Sequence, residues 1–309
     1  MPSSKRPILI TGSHRSGTTW VGKMIAKSPE VAYIHEPFNI ESTRPGVSGG
    51  KFKNWFQYIN SENENLYYPS IRSTLEYRYA LIAELSAVRS LIDVARLIRD
   101  SSRFLYLRFK KKRPLIKDPI AIFSAEWLAQ SFDMQVVVMI RHPAAFVSSL
   151  KRKNWQFDFN HFLQQPLLMR DHLYPFESQI RAYTARPPDI IDQGILLWKI
   201  FHHVIYYYQQ KHPDWLFFRH EDLSREPIRK FQQIFDYLKL PFDQKIQKAI
   251  IDFSGTQNPI DVIDSEESLR RDSKANILNW KKRLTKREIT RIRENVVGIS
   301  DFFYSEKDW

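Results

Sequence analysis

Three observations predict an α/β fold in which a central parallel sheet carries helices on both faces. Short apolar runs alternate with segments of helical periodicity along most of the chain. The run 135–140 is strongly β-branched, and from Val136 on it is apolar without the alternation of a half-exposed strand, as suits a strand buried on both sides. A glycine-bracketed loop joins the first apolar run to the first helical segment.

In chain order, residues 7–11 set Ile8, Leu9 and Ile10 in a buried strand that enters a loop at Gly12 and Ser13. The spacing of Trp20, Val21, Met24 and Ile25 predicts a helix over 18–27, stopped by Pro29. A second strand follows at 31–34. Residues 39–69, with Gly46, Gly49 and Gly50 among polar and aromatic side chains, read as an excursion built of loops. One long helix is expected over 70–100, its apolar positions running from Leu81 and Leu85 through Leu91 to Leu97. Then come a strand at 114–117, a helix at 120–132, the strand at 135–140 and a helix at 143–151 that opens on a proline. A long aromatic helix at 190–211, a final strand at 215–219 and helices at 225–240 and 286–297 complete the pattern. No Pro/Gly-rich linker or repeat divides the 309 residues, so one domain with insertions is expected over 1–309.

Composition removes whole classes of chemistry. With no cysteine, disulfides, thiolate nucleophiles and iron–sulfur clusters are excluded. The nine histidines form no HExxH, so no metal site is expected. No apolar run reaches the roughly 18 residues of a membrane span, and the short polar N-terminus leaves no room for a signal peptide. A cytoplasmic protein is the expectation. Lys and Arg number 47 against 34 Asp and Glu, a net charge of +13, which favours an anionic partner.

The loop Gly12-Ser13-His14-Arg15-Ser16-Gly17-Thr18-Thr19-Trp20 has the two-glycine spacing of a P-loop-containing nucleotide-binding fold. Backbone N–H groups and the following helix N-terminus would face an anion there. The lysine that should follow the second glycine is Thr18, and the strand 135–140 ends on Arg141 where a magnesium-binding aspartate would stand. Cations at both places suit an anion handled without metal.

RSGTTW at Arg15–Trp20 resembles the 5′-phosphosulfate loop of sulfotransferases that use 3′-phosphoadenosine 5′-phosphosulfate (PAPS) and release 3′,5′-ADP. Arg141 and Ser149 within MIRHPAAFVSSLKR resemble the family's second motif, an Arg at a strand end with a helical Ser eight residues on. RRDSKANILNWKKRLT resembles the C-terminal basic loop over the 3′-phosphate, and RPLIKDP and FFRHEDLSREP are weaker echoes. The resemblance implies that Ser16, Gly17, Thr18 and Thr19 cradle the 5′-phosphosulfate while Arg15 neutralises the leaving phosphate. It assigns the 3′-phosphate to Arg141 and Ser149, with Arg270, Arg271, Ser273 and Lys274 covering it. Trp20 matches the position that stacks on adenine, and at its helical spacing it fits an ordinary core residue equally. The segments 39–112 and 154–189, which the motifs leave uncovered, are expected to serve the acceptor.

Sulfuryl transfer needs a base for the acceptor hydroxyl. The family's Lys-Thr-His-Leu-Pro segment is matched here by Leu115-Ile116-Lys117-Asp118-Pro119, which lacks the His. His35-Glu36-Pro37-Phe38 resembles the arrangement in carbohydrate-directed and bacterial members, where a Glu after the second strand is the base. Glu36 is the first choice and Asp118 the second, with Lys117 orienting substrate or sulfate and His14 contacting sulfate or acceptor. The acceptor is expected to be a small molecule, glycan or lipid, with no specific nucleic acid. Aromatic residues at 55–68 and 155–162 either stack on it or simply pack. The basic, aromatic stretch 103–113 suits contact with an anionic membrane or polyanion; its plainer reading, a solvated helix end, is favoured. Two other classes compete: a degenerate P-loop kinase, and a non-catalytic polyanion- or nucleic-acid-binding protein.

Overall fold

The computed structural model describes residues 6–41, 46–47, 52–260 and 270–309. Gly49 and Gly50 lie outside the described residues. Five strands form one parallel sheet: β1 (Ile8–Gly12), β2 (Val31–His35), β3 (Arg113–Lys117), β4 (Gln135–Ile140) and β5 (Leu216–Arg219), in the order β2-β3-β1-β4-β5. The register sets Ile10 beside Lys117 on one flank and Val137 on the other, and sets His35 beside Lys117.

Side chains alternate between the two faces of a strand. On β1, Leu9 therefore joins one buried cluster with Ile116, Val136 and Val138, while Ile8 and Ile10 join the other with Leu115, Val137 and Met139. Helix α1 (Thr18–Ile25) covers the second face with the helices Pro227–Leu238 and Gln244–Ser254. The first face packs against α5 (Ala125–Phe132), α6 (Pro143–Lys153) and the long helix Ile190–Lys211. This double cover is why β4 reads as an unbroken apolar run.

The expected helix over 70–100 is corrected to three: α2 (Tyr68–Leu75), α3 (Leu81–Leu85) and α4 (Leu91–Phe109). Tyr77 takes a left-handed φ of 55°, which interrupts the first helix. Ser90 is extended and its hydroxyl accepts from the Asp93 amide at 3.2 Å, starting the third as an N-cap. The apolar positions Leu81, Leu85 and Leu91 are exposed. The helix expected over 225–240 runs from Pro227 to Leu238, and a separate short helix, His220–Arg225, ends ahead of it because the residue before a proline disfavours helical dihedrals. Among the described residues, no helix is long and apolar enough to cross a membrane.

Candidate active site

All the chemically suggestive residues of the strand ends fall on the carboxyl edge of the sheet, where parallel α/β folds place ligands. Gly12 ends β1 at φ 131°, and a Cβ there would collide with the Met139 carbonyl of β4. Gly17 begins α1 at φ 91°, with the ring of His220 so near that a Cβ would lie 2.6 Å from its Nδ1. Only glycine suits either position. Between them the Ser16 amide and hydroxyl both donate to the Ser13 carbonyl, at 3.3 and 2.5 Å, closing a turn. The first helical bond of α1 runs from the Val21 amide to the Gly17 carbonyl, leaving the amides of Thr18, Thr19 and Trp20 ahead of it. Gly17 offers no side-chain cap and the first turn holds no acidic residue, so the helix end stays open to an anion.

Arg15 sits in this loop at φ 64°, a conformation that costs a non-glycine residue about 1–2 kcal/mol. Two bonds hold it there. Arg141 Nη1 donates to the Arg15 carbonyl at 2.6 Å, and Arg15 Nε donates to Ser149 Oγ at 2.9 Å. Loop, β4 end and α6 are thus joined through the three residues of the two motifs. Trp198 Nε1 in turn donates to the Arg141 carbonyl at 2.8 Å.

Arg141 is pushed down to about 10, by burial first and then by the charges of Arg15 and Arg271, while Glu221 pulls it back up. Its Nε is buried without a hydrogen-bond partner. Glu221 is itself buried, accepting from the His142 amide at 3.1 Å and the Tyr304 hydroxyl at 2.9 Å. Burial pushes its carboxyl up, against the pull of Arg141. Burial, followed by the charges of Arg141 and Arg271, holds His220 well below its ordinary value, so it is neutral beside the loop. The sequence reading missed His220 and Glu221; their position just past β5, in FFRHED, was the available signal.

The basic loop is only partly gathered here. Arg271 lies within electrostatic reach of Arg141. Arg270 instead rests over the Phe253 ring at 5.5 Å. The Ser273 hydroxyl faces the Ser224 and Ser254 carbonyls at 3.1 and 3.2 Å, and Lys274 lines a cavity of about 440 Å³ with Glu221, His142, Trp280 and Trp309. Trp20 is buried against Phe231 and His220, in the position of a core residue.

At the other end of the edge, Glu36 continues the β2–β3 ladder by one residue, its amide donating to the Lys117 carbonyl at 3.0 Å with φ 41°. The wholly buried Lys117 passes under Gly22 of α1 and forms an ion pair and hydrogen bond with Glu36. Burial is the largest single influence on Glu36 and pushes its carboxyl up. The Lys117 charge and hydrogen bond, with His35 and Asn39, outweigh it and hold the group below its ordinary value. Asp118 is fully buried, accepting from the Phe38 amide at 2.8 Å and the Ile120 amide at 2.9 Å. Burial first, then the Glu36 charge, pushes it up to about 7.

His14 is surrounded by the rings of Phe146, Phe201, Phe56 and Trp155, at 4.9 to 5.5 Å. Burial, helped by Arg15, lowers it to about 3 and keeps it neutral. Of the aromatic residues in 155–162, Phe159 and Phe162 are core and only Trp155 is exposed. Among the described residues no group of three His, Asp or Glu side chains is arranged to hold a metal.

The parallel sheet, the glycine-bracketed loop and the open helix end define an α/β protein with a P-loop-like fold. A family model described as "Sulfotransferase family" matches residues 7–244, and the chain belongs to that family. Among solved structures, it is similar to the sulfotransferase domain from the curacin biosynthetic pathway, at 13% identity and TM-score 0.50, covering 94% of this chain and 97% of that one. It is also similar to the sulfotransferase domain of the Synechococcus PCC 7002 olefin synthase, at 16% identity and TM-score 0.48, covering 98% of each chain. Mouse sulfotransferase SULT7A1 complexed with PAP matches at 12% identity and TM-score 0.48, covering 99% of this chain and 88% of that one. At these identities the likeness is one of fold. No curated protein matches the sequence.

Proposed function

We propose that this transferase moves the sulfuryl group of PAPS to a hydroxyl of a glycan, lipid or other small acceptor by in-line displacement. One observation carries the reading. The open end of α1 lies beside the buried Arg141, whose charge Glu221 favours and whose neighbours Arg15 and Arg271 add further guanidinium charge within electrostatic reach. The buried Nε of Arg141 fits a phosphate oxygen, as an orphaned donor at such a depth should.

PAPS would supply the activated sulfuryl group. The amides from Ser16 to Thr19 and the Thr18 and Thr19 hydroxyls would hold its 5′ end, with Arg15 countering the charge that grows on the leaving phosphate. Arg141 and Ser149 would take the 3′-phosphate, with Arg271 contributing charge. We assign Ser273 to the architecture of its loop, since its hydroxyl already faces two carbonyls. Glu36 is the general base. Lys117 keeps it ionised but also lowers its proton affinity. Any sharing of the Lys117 charge with the oxygens of a bound anion raises that affinity when the acceptor hydroxyl must give up its proton. Asp118 fits a different task, tying the turns after β2 and β3 together through two amides.

Thermal shift in EDTA tests the cofactor assignment. 3′,5′-ADP should stabilise the protein and 5′-AMP much less, since one charge-assisted phosphate site is worth about 1.5–3 kcal/mol. Equal shifts would remove Arg141 and Ser149 from their roles, and a strict magnesium requirement would favour a kinase.

A further inference from the structure

We propose that the α3–α4 hairpin is a docking surface for an anionic phospholipid bilayer. Helix α4 has two apolar faces where a helix at a protein surface ordinarily has one. Phe104 and Leu107 are buried inward. On the opposite side Leu91, Val94, Ile98, Leu105 and Phe109 recur at helical spacing, exposed by 88, 40, 58, 68 and 80%. Beside them α3 exposes Ile82 by 87% and Leu85 by 59%. Of the 19 large hydrophobic residues exposed among the described residues, ten fall between Leu81 and Phe109. That concentration makes a patch, unlike the scattered exposure of ordinary surfaces.

Charge selects the occupant. Residues 81–112 carry eight Lys and Arg against Glu84, Asp93 and Asp100. Glu84 is buried and accepts from the Gly46 amide, while Asp93 and Asp100 pair with Arg96 and Arg99. The excess of cations is concentrated at the helix end, in Arg103, Arg108 and the run Lys110 to Lys112. Lys110 holds its ammonium 5.9 Å from the Phe109 ring and 6.0 Å from that of Tyr106. A charged tip over an apolar body is the arrangement of residues at a lipid headgroup boundary. A second copy of the chain would set this cationic surface against itself, whereas acidic headgroups complement it.

The hairpin also leans toward the candidate active site. Lys112 Nζ bonds the Pro29 carbonyl just before β2, and Arg103 Nη2 donates to the Tyr33 carbonyl in mid-strand at 3.4 Å. The helix therefore climbs along β2 towards its carboxyl end as residue numbers fall. From Arg103 to Leu91 it rises about 18 Å, while β2 runs only about 7 Å further, from Tyr33 to His35. The Leu91 end projects past the edge that bears Glu36. A docked protein would hold that edge near the membrane, whatever reaction it performs.

Co-sedimentation of the full chain with vesicles tests this independently of activity. Vesicles of phosphatidylcholine with about one-third phosphatidylglycerol should bind at least tenfold more tightly than phosphatidylcholine alone, with affinity falling as salt rises. The triple variant Leu91→Ser/Ile98→Ser/Phe109→Ser should bind at least tenfold more weakly at unchanged thermal stability, because these side chains support no core. Lys110→Glu/Lys111→Glu, which leaves the apolar stripe intact, should abolish the preference for anionic vesicles. The absence of wild-type binding, or binding that survives both variants, overturns the proposal. So does a wild-type dimer by light scattering that the triple variant makes monomeric, since a second copy would then be the occupant.

Discussion

At the β1–β4 end of the sheet's carboxyl edge the charged groups repel one another, whereas at the β2–β3 end they are already paired. Arg141 meets one buried counter-charge, Glu221, while burial and repulsion from Arg15 and Arg271 drag it downward. Glu36 and Lys117 neutralise each other, and Asp118 is bonded to two amides. Each end holds one left-handed non-glycine residue, Arg15 at φ 64° and Glu36 at φ 41°, kept there by tertiary bonds. In the function proposed above, an incoming anion would relieve the first arrangement, and in the second the pair would loosen before its carboxylate takes a proton. The physical lesson is that binding and proton transfer ask for opposite preparation of charge.

The comparison breaks most decisively at Glu36. Glu36→Gln keeps the hydrogen-bonding reach but cannot accept a proton, so kcat should fall by about 10²–10⁴. Affinity for 3′,5′-ADP should stay within about twofold, because the nucleotide end is untouched. Asp118→Asn is the matched control. It loses one of two buried acceptors and should lower thermal stability by about 1–3 kcal/mol, with a much smaller loss of turnover. A large kinetic loss there, with Glu36→Gln nearly active, would reverse the two assignments.

Arg141→Met is the corresponding cut at the other end. Calorimetry should show 3′,5′-ADP affinity reduced more than tenfold, from the loss of about 1.5–3 kcal/mol, and 5′-AMP affinity reduced far less. Equal losses for the two ligands would show that Arg141 acts only by holding the Arg15 carbonyl.

The smallest effect is in the pH dependence, and it separates the two carboxylates. Asp118 is raised from 3.8 to about 7, so the folded state holds its proton more strongly than the unfolded chain. That contribution is complete below 3.8 and is lost as the pH rises to about 7. Glu36 is lowered, so its contribution is present above its ordinary value of 4.5 and is lost as the pH falls through the folded one. Melting curves across this range should lose part of their downward slope between pH 4 and 7 in Asp118→Asn. In Glu36→Gln they should lose part of the destabilisation on the acid side. Slopes identical to wild type would mean that neither group is linked to folding in this way.

Much of this contrast was visible before folding was considered. The unbroken apolar character of 136–140 fixes a strand buried on both faces, and the structure has it at Gln135–Ile140. The aromatic and apolar run at 190–211 fixes the helix Ile190–Lys211, whose start Asp189 is found to cap through two amides at 3.0 Å. Glycines at 12 and 17 announce a turn that no other residue fits, and the cations at 15 and 141 stand at the carboxyl edge where parallel α/β folds place ligands. Less legible was the stretch 70–100, where apolar periodicity persists through the breaks at Tyr77 and Ser90. Its outward stripe has the same spacing as an inward one, and periodicity carries no sign for which side meets the core.

By itself, then, the sequence determined the local conformations that depend on residue type: buried strands, left-handed glycines, capped helices and an uncompensated positive charge. Tertiary structure decided who meets whom. Glu36 finds Lys117 because parallel pairing sets His35 beside Lys117, 82 positions away along the chain. Arg15 reaches Ser149 because α6 packs behind β4, and Ser273 spends its hydroxyl on carbonyls from two other helices. These partnerships follow from strand order and helix placement. Both are settled by burying two apolar faces at once, a condition that no short window of residues contains.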